Sequence, residues 1–173
     1  MCYRTRRLVV RLVCPFATLT IETRESLEGL DVEYVDVSSD DEAYWRLLSG
    51  LWTEAADFAL IEHDIIAPAA FLNSFDACDH EWCAYSYRYK TWEQYTGLGC
   101  VRFRASLMRA EPHLMDGVGN MVIGDHPRKH WCTLDSGVQR WLGRYQRRAH
   151  VHGVCEHISD GTPTHDCGAH HGA

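Results

Sequence analysis

The sequence predicts an α/β fold: a single compact domain on a mostly parallel, Rossmann-like central sheet with flanking helices. Three observations predict it. Strand and helix signals alternate through the first 65 residues, the rhythm of βαβ units joined by right-handed crossovers. The apolar run at 57–65 is continuous rather than alternating, as expected of a strand covered on both faces. A chain of 173 residues with 46% hydrophobic side chains is the right size for one core.

The elements follow in order. LVVRLVCPF (8–16) reads as a buried first strand closed by Pro15. A helix from about Thr20, capped near Gly29, comes next, although the alternation at 17–21 also fits a strand. VEYVDVS (32–38) is a second short strand. Ser39 and Glu42 have capping-box spacing, and Ala43, Leu47, Leu48 and Leu51 then share one helical face. Residues 57–65 form the third strand, and Pro68 suits the first turn of a short helix reaching about Phe75. WCAYSYRY (82–89) and LGCVRF (98–103) read as two more strands around a polar, aromatic loop. Gly117, Gly119 and Gly124 mark an irregular stretch. Thr133 is placed to cap a helix carrying Leu134, Val138, Trp141, Leu142 and Tyr145 on one side, and HVHGVCEHI (150–158) reads as a last strand. The domain is expected to span 1–159, with the His- and Gly-rich residues 160–173 as a flexible tail.

Composition narrows the partners. With 17 Lys and Arg against 24 Asp and Glu the formal charge is −7, so no basic surface is available to dominate binding to nucleic acid. The four arginines between Arg140 and Arg148 fit a solvated helix face or a smaller anion. No run approaches the ~18 apolar residues of a membrane span, and no leader-like segment follows Met1. A cytoplasmic location is expected, with the eight cysteines, none in a CxxC pair, reduced and mostly structural.

Parallel sheets bind ligands at the carboxyl ends of their strands. That rule lines up Pro15 and Phe16, Asp36 and Ser38, and Glu62, His63 and Asp64 along one edge. Acid–x–acid spacing occurs four times, at 31/33, 40/42, 62/64 and 79/81, but only Glu62 and Asp64 end a long buried strand. Two desolvated carboxylates there repel unless a cation neutralises them, which an oxygen-liganded divalent ion does. The competing reading is that they cap the helix near Pro68. In HVHGVCEH, His150 and His152 share a strand face, and His157 joins them only if Gly153 introduces a bulge. One of these imidazoles could complete the coordination begun by Asp64; a surface role and a self-contained zinc site both stay open.

In this layout IEHDI at the third strand end, VDVSSDD at the second, the glycine-containing TGLGCVRF, and HWCTLD followed by HVHGVCEH resemble glycosyltransferases of the GT-A fold. The likeness is nearest to the short glycosyltransferase-like proteins of actinobacterial phages, and it covers the chain to Ser159. The resemblance implies a transferase that moves a sugar from a nucleotide-diphospho-sugar to a hydroxyl of a protein or glycan, with Mn²⁺ or Mg²⁺. It implies Asp64 as main metal ligand with Glu62 beside it, His152 or His157 as the third ligand, Asp36 at the nucleotide base, and Asp135 as the base that deprotonates the acceptor. Gly97, Leu98, Gly99 and Trp92 would face the acceptor, and Trp82, Tyr85 and Tyr87 are further stacking candidates. Two departures stand out: Glu62 replaces the usual first Asp, and Leu134 precedes Asp135 where a second acid is usual. A metal-dependent hydrolase or nuclease on Asp64 and the histidines, and a non-catalytic nucleotide-sugar-binding protein, are the competing readings.

Overall fold

The computed structural model describes residues 10–88 and 94–158. The β-branched first run forms β1 (Arg11–Phe16), and Thr20 opens α1 (Ile21–Ser26) by accepting from the Thr23 N–H at 3.3 Å. Gly29 follows in the left-handed region at φ +79°, which a glycine adopts without strain. Then come β2 (Val32–Asp36), α2 (Ala43–Glu54), β3 (Phe58–Ile61), β4 (Ile65–Ile66), α3 (Phe71–Ala77), β5 (Trp82–Arg88), β6 (Gln94–Tyr95) and β7 (Cys100–Phe103). The chain continues through α4 (Ala105–Ala110), α5 (Leu114–Gly119) and α6 (Trp131–Arg144) to β8 (His150–His157).

The strands order as β2-β1-β3-β7-β5-β8-β4, with β6 beside β5. The sheet is mixed, which corrects the mostly parallel, Rossmann-like expectation. β1 pairs in parallel with β2 and β3, and β5 with β8, whereas the β3–β7, β5–β7, β4–β8 and β5–β6 pairs are antiparallel. The reason is topological: β7 returns to insert between β3 and β5 and runs against both. An apolar run specifies that a strand is covered on both faces but says nothing about its direction.

Both faces are indeed covered. Along β1 and β3 the side chains alternate, with Val13, Phe58 and Leu60 facing a core closed by α2, α4, α5 and α6, while Leu12, Cys14, Ala59 and Ile61 face α1 and α3. Trp52 and Phe103 meet edge to face at 5.4 Å on the first side, and Phe71 and Phe75 at 5.7 Å on the second.

Several local expectations change. The capping box is not made: α2 begins after Glu42, whose N–H donates to Asp40 Oδ1 at 2.9 Å, so Asp40 serves the turn instead of Ser39. The glycine-rich stretch is helical as far as Gly119, because Gly117 and Gly119 are packing glycines, whereas Gly124 lies in an irregular turn at φ +60° as expected. A Cβ on Gly117 would lie 1.7 Å from the Trp141 ring, and one on Gly119 2.7 Å from Trp45 Nε1. Helix α6 starts earlier than expected, after His130, whose Nδ1 accepts from the Cys132 N–H at 3.2 Å. The buried Thr133 instead donates its hydroxyl back to the His130 carbonyl at 2.7 Å. Cys14, Cys78, Cys83, Cys100 and Cys155 are buried free thiols as expected; Cys132 is disulfide-bonded. Among the described residues no helix is long and apolar enough to cross a membrane.

Candidate active site

The turn after β3 is fixed by its backbone. The Glu62 N–H donates to the Gly99 carbonyl at 2.9 Å, and the Glu62 carbonyl accepts from the Ile65 N–H at 3.1 Å. Thr20 ties down the same turn, its N–H and hydroxyl both donating to the His63 carbonyl at 3.1 and 3.0 Å. The Asp64 carbonyl accepts from the Ile158 N–H at 2.7 Å, which joins the turn to the end of β8. The main chain of His63 thus anchors the turn, and the side chains of Glu62 and Asp64 are held on a short, heavily bonded loop.

Each carboxylate has a specific partner. Glu62 Oε1 accepts from the Tyr44 hydroxyl on α2 at 2.7 Å. Asp64 Oδ2 lies 3.1 Å from His157 Nε2. Asp135, in the second turn of α6, accepts from the Leu98 N–H at 2.6 Å and from the Tyr87 hydroxyl at 3.3 Å, while the Tyr87 ring stacks on His157 at 5.5 Å. The three acids come from a strand end and a helix far apart in sequence, yet they feel one another's charge. Burial pushes Glu62 well above the carboxylate range, and the charges of Asp135 and Asp64 push it further. Asp135 is raised to about 6, by burial first and the charge of Asp64 in addition, against the opposing hydrogen bonds from Leu98 and Tyr87. Burial raises Asp64 too, but the hydrogen bond from His157 and the charges of His63 and His157 outweigh it, and this carboxyl lies below its ordinary value. The Cys14 thiol beneath them is pushed up to about 12, by burial and then by Glu62 and Asp64.

The neighbouring strand ends place the remaining candidates. Phe16 pairs with Asp36 across β1 and β2, and its carbonyl accepts from the Val37 N–H at 2.9 Å. Pro15 is buried beyond the last β1–β3 pair. Asp36 is exposed and accepts from the Ser38 N–H at 2.8 Å, closing a small turn that faces solvent. Leu98 is 2% exposed, so its side chain belongs to the core and only its backbone N–H reaches the site. A Cβ on Gly99 would lie 2.7 Å from the Tyr87 ring, so glycine here lets the start of β7 pass beneath that tyrosine. Gly97 is buried beside it. Trp92 lies outside the described residues. Of the other aromatic candidates, Trp82 stacks on Phe103 and Tyr85 donates to Ser74 Oγ at 2.9 Å, both inside the core.

The histidines divide. Between Ala84 and Ser86 on β5 the partner strand advances from Val151 to Val154, so β8 carries one extra residue around His152 and Gly153. That bulge brings Cys155 and His157 onto the face that His150 occupies. His157 reaches Asp64, whereas His152 packs against Phe75 and Tyr85 near the other end of β8. With about 3.3 Å per strand residue, His150 and His157 are roughly 20 Å apart along the strand. Asp64 and His152 are thus not brought together. Tyr44 and Tyr87 are the site residues that sequence reasoning missed in these roles. Their signal is weak, since an inward tyrosine hydroxyl needs a partner but does not announce which one.

No protein-family model and no curated protein matches the sequence. Among solved structures, the chain superposes on a glycosyltransferase involved in the glycosylation of the major capsid of PBCV-1, with TM-score 0.53 and 14% identity over 86% of this chain and 92% of that one. The chain shares the fold of that enzyme. A197 from STIV is similar to the same degree, with TM-score 0.53 and 12% identity over 87% of this chain and 86% of the other. At these identities the likeness is one of architecture. The sheet sets Glu62 and Asp64 just past the carboxyl end of β3, with Asp135 brought to them from α6.

Proposed function

We propose that the chain is a metal-dependent glycosyltransferase that moves a sugar from a nucleotide-diphospho-sugar to an acceptor hydroxyl on a protein or glycan. The observation that carries this reading is the convergence of Glu62, Asp64 and Asp135 at the strand ends of a glycosyltransferase-like fold. Their mutual repulsion calls for a positive charge at that place. The donor set fits a hard divalent ion such as Mn²⁺ or Mg²⁺: carboxylate oxygens plus one imidazole. Asp64 Oδ2 and His157 Nε2 are joined by a hydrogen bond at 3.1 Å, so an ion bound there would displace that proton and take both atoms as ligands. Asp64 and His157 would hold the ion with Glu62 alongside, and when bound it supplies charge to the departing diphosphate.

The chain's own groups do the rest. The exposed turn of Asp36 and Ser38, beside Pro15 and Phe16, is open to take the base and ribose of the donor. Asp135 is oriented by two donated hydrogen bonds and titrates near pH 6, which suits a general base for an acceptor hydroxyl near neutrality. Gly97 to Gly99 form the wall next to Asp135, so an acceptor approaching that base passes this segment. The capsid-glycosylating neighbour supports a protein-linked acceptor and a viral setting. The competing hydrolase would rest on Asp64 with His157, because His150 and His152 lie towards the other end of β8.

The test is thermal stabilisation by a panel of nucleoside diphosphates and their sugar conjugates, with and without Mn²⁺, since a ligand selective for the native state raises the melting point. One diphosphate is expected to stabilise selectively, more strongly with metal, and Asp64→Ala is expected to abolish the metal-dependent part. If no diphosphate stabilises with metal present, or Asp64→Ala responds like the parent, the transferase reading fails.

A further inference from the structure

At the opposite end of β5 and β8 from the acid cluster, Cys78, His150 and His152 converge, with one ligand atom of each inside a group spanning no more than 4.8 Å. Cys78 is the C-cap of α3 and is 5% exposed; His150 opens β8 opposite Cys83; His152 sits at the bulge. The imidazoles of His150 and His152 meet edge to face at 4.8 Å, and His80 stacks on His150 at 4.5 Å from the solvent side. The group lines a solvent-open cavity of about 430 Å³.

Two features point to a ligand rather than to chance packing. The first is His152 Nε2, which is buried without a hydrogen-bond partner, a state that costs the full desolvation of a strong polar atom unless something occupies the place it faces. The second is pre-organisation of the loop that carries the thiol. The fully buried Arg102 donates to the Cys78 carbonyl at 3.2 Å and to the His80 carbonyl at 2.9 Å, and Arg104 also donates to the Cys78 carbonyl. Two arginines at the end of β7 thus hold the backbone of residues 78–80 in place before any ion arrives.

We propose that Cys78, His150 and His152 form a binding site for a zinc-like divalent ion, separate from the acid cluster. One thiol and two imidazoles are a borderline-soft donor set, which selects Zn²⁺ or its analogue Co²⁺ over Mn²⁺ and Mg²⁺. Bonds of about 2.0 Å to nitrogen and 2.3 Å to sulfur bring tetrahedral ligand atoms to roughly 3.3–3.7 Å, within reach of side-chain rotation from the present spacing. Three protein ligands leave the fourth position facing the cavity, where His80 or water completes the shell. The ion would pin the end of α3 to the start of β8.

Cobalt reports this chemistry directly. The full chain titrated with Co²⁺ is expected to show thiolate-to-cobalt charge transfer and the intense visible bands of a tetrahedral ion at one equivalent. The same spectrum is expected in Asp64→Ala and in Cys167→Ser. Cys78→Ser should lose the charge-transfer band, and His150→Gln and His152→Gln should each weaken Zn²⁺ in competition with an indicator by about tenfold or more. His150 is exposed, so its substitution leaves the fold intact and keeps the test valid if the buried positions do not tolerate change. Absence of a charge-transfer band in the parent overturns the proposal, as does a band that survives Cys78→Ser, follows Cys167, or ignores both histidine substitutions.

Discussion

Asp135 is a single carboxyl whose surroundings favour its protonated form, and this can be measured without substrate. Its native value of about 6 exceeds the ordinary 3.8, so its contribution to stability is complete below pH 3.8 and is lost as pH rises through 6. In protein freed of divalent ions, Asp135→Asn is therefore expected to be more stable than the parent at pH 8, by at most about 3 kcal/mol. The advantage should shrink through pH 6 and vanish near pH 4. Urea unfolding at several pH values reads this, and a difference that stays constant across the range would contradict it. If the residue is the base, kcat/KM should climb with pH through about 6 and then level. The motif HWCTLD points to Asp135, and the position after IEH points to Asp64. The partners that tune Asp135 are not legible, because Tyr87 and Leu98 reach it only through tertiary packing and a backbone N–H that any residue would supply.

Among the elements, α2 and α5 show that glycine has no single meaning. Gly50 lies inside α2 with nothing within 4 Å of the place a methyl group would take, so Gly50→Ala should stabilise by about 0.5–1 kcal/mol through helix propensity. Gly117 lies inside α5 against Trp141, and Gly117→Ala should destabilise by about 1–3 kcal/mol as α5 and α6 are forced apart. Paired thermal melts of the two variants should move in opposite directions; movement in the same direction would refute the close packing of these helices. Residues 114–119 read as irregular for this physical reason, since a glycine selected for close approach and a glycine selected for a turn are identical in sequence. Helix α1 is easier to read, because Thr20 caps it locally and the cap needs no information from elsewhere.

Across the whole molecule, the βαβ rhythm of the first half is readable because each crossover is local. The second half is not, because the placing of β7 between β3 and β5 depends on long-range pairing that hydrophobic pattern does not encode. The two proposed sites sit at opposite ends of one sheet, so Cys78→Ser is expected to leave manganese-dependent stabilisation by the donor diphosphate unchanged. Loss of both together would show that the ends communicate through β8. That strand also makes the protein far more sensitive to length than to composition at one place. The surplus residue near Gly153 works like a half-twist in a ribbon: add another residue after Val154, and every side chain downstream turns over. Cys155 would then leave the interior and His157 would swing away from Asp64, so a one-codon insertion there should do more harm than most substitutions in the same strand, while leaving the amino-terminal crossovers intact.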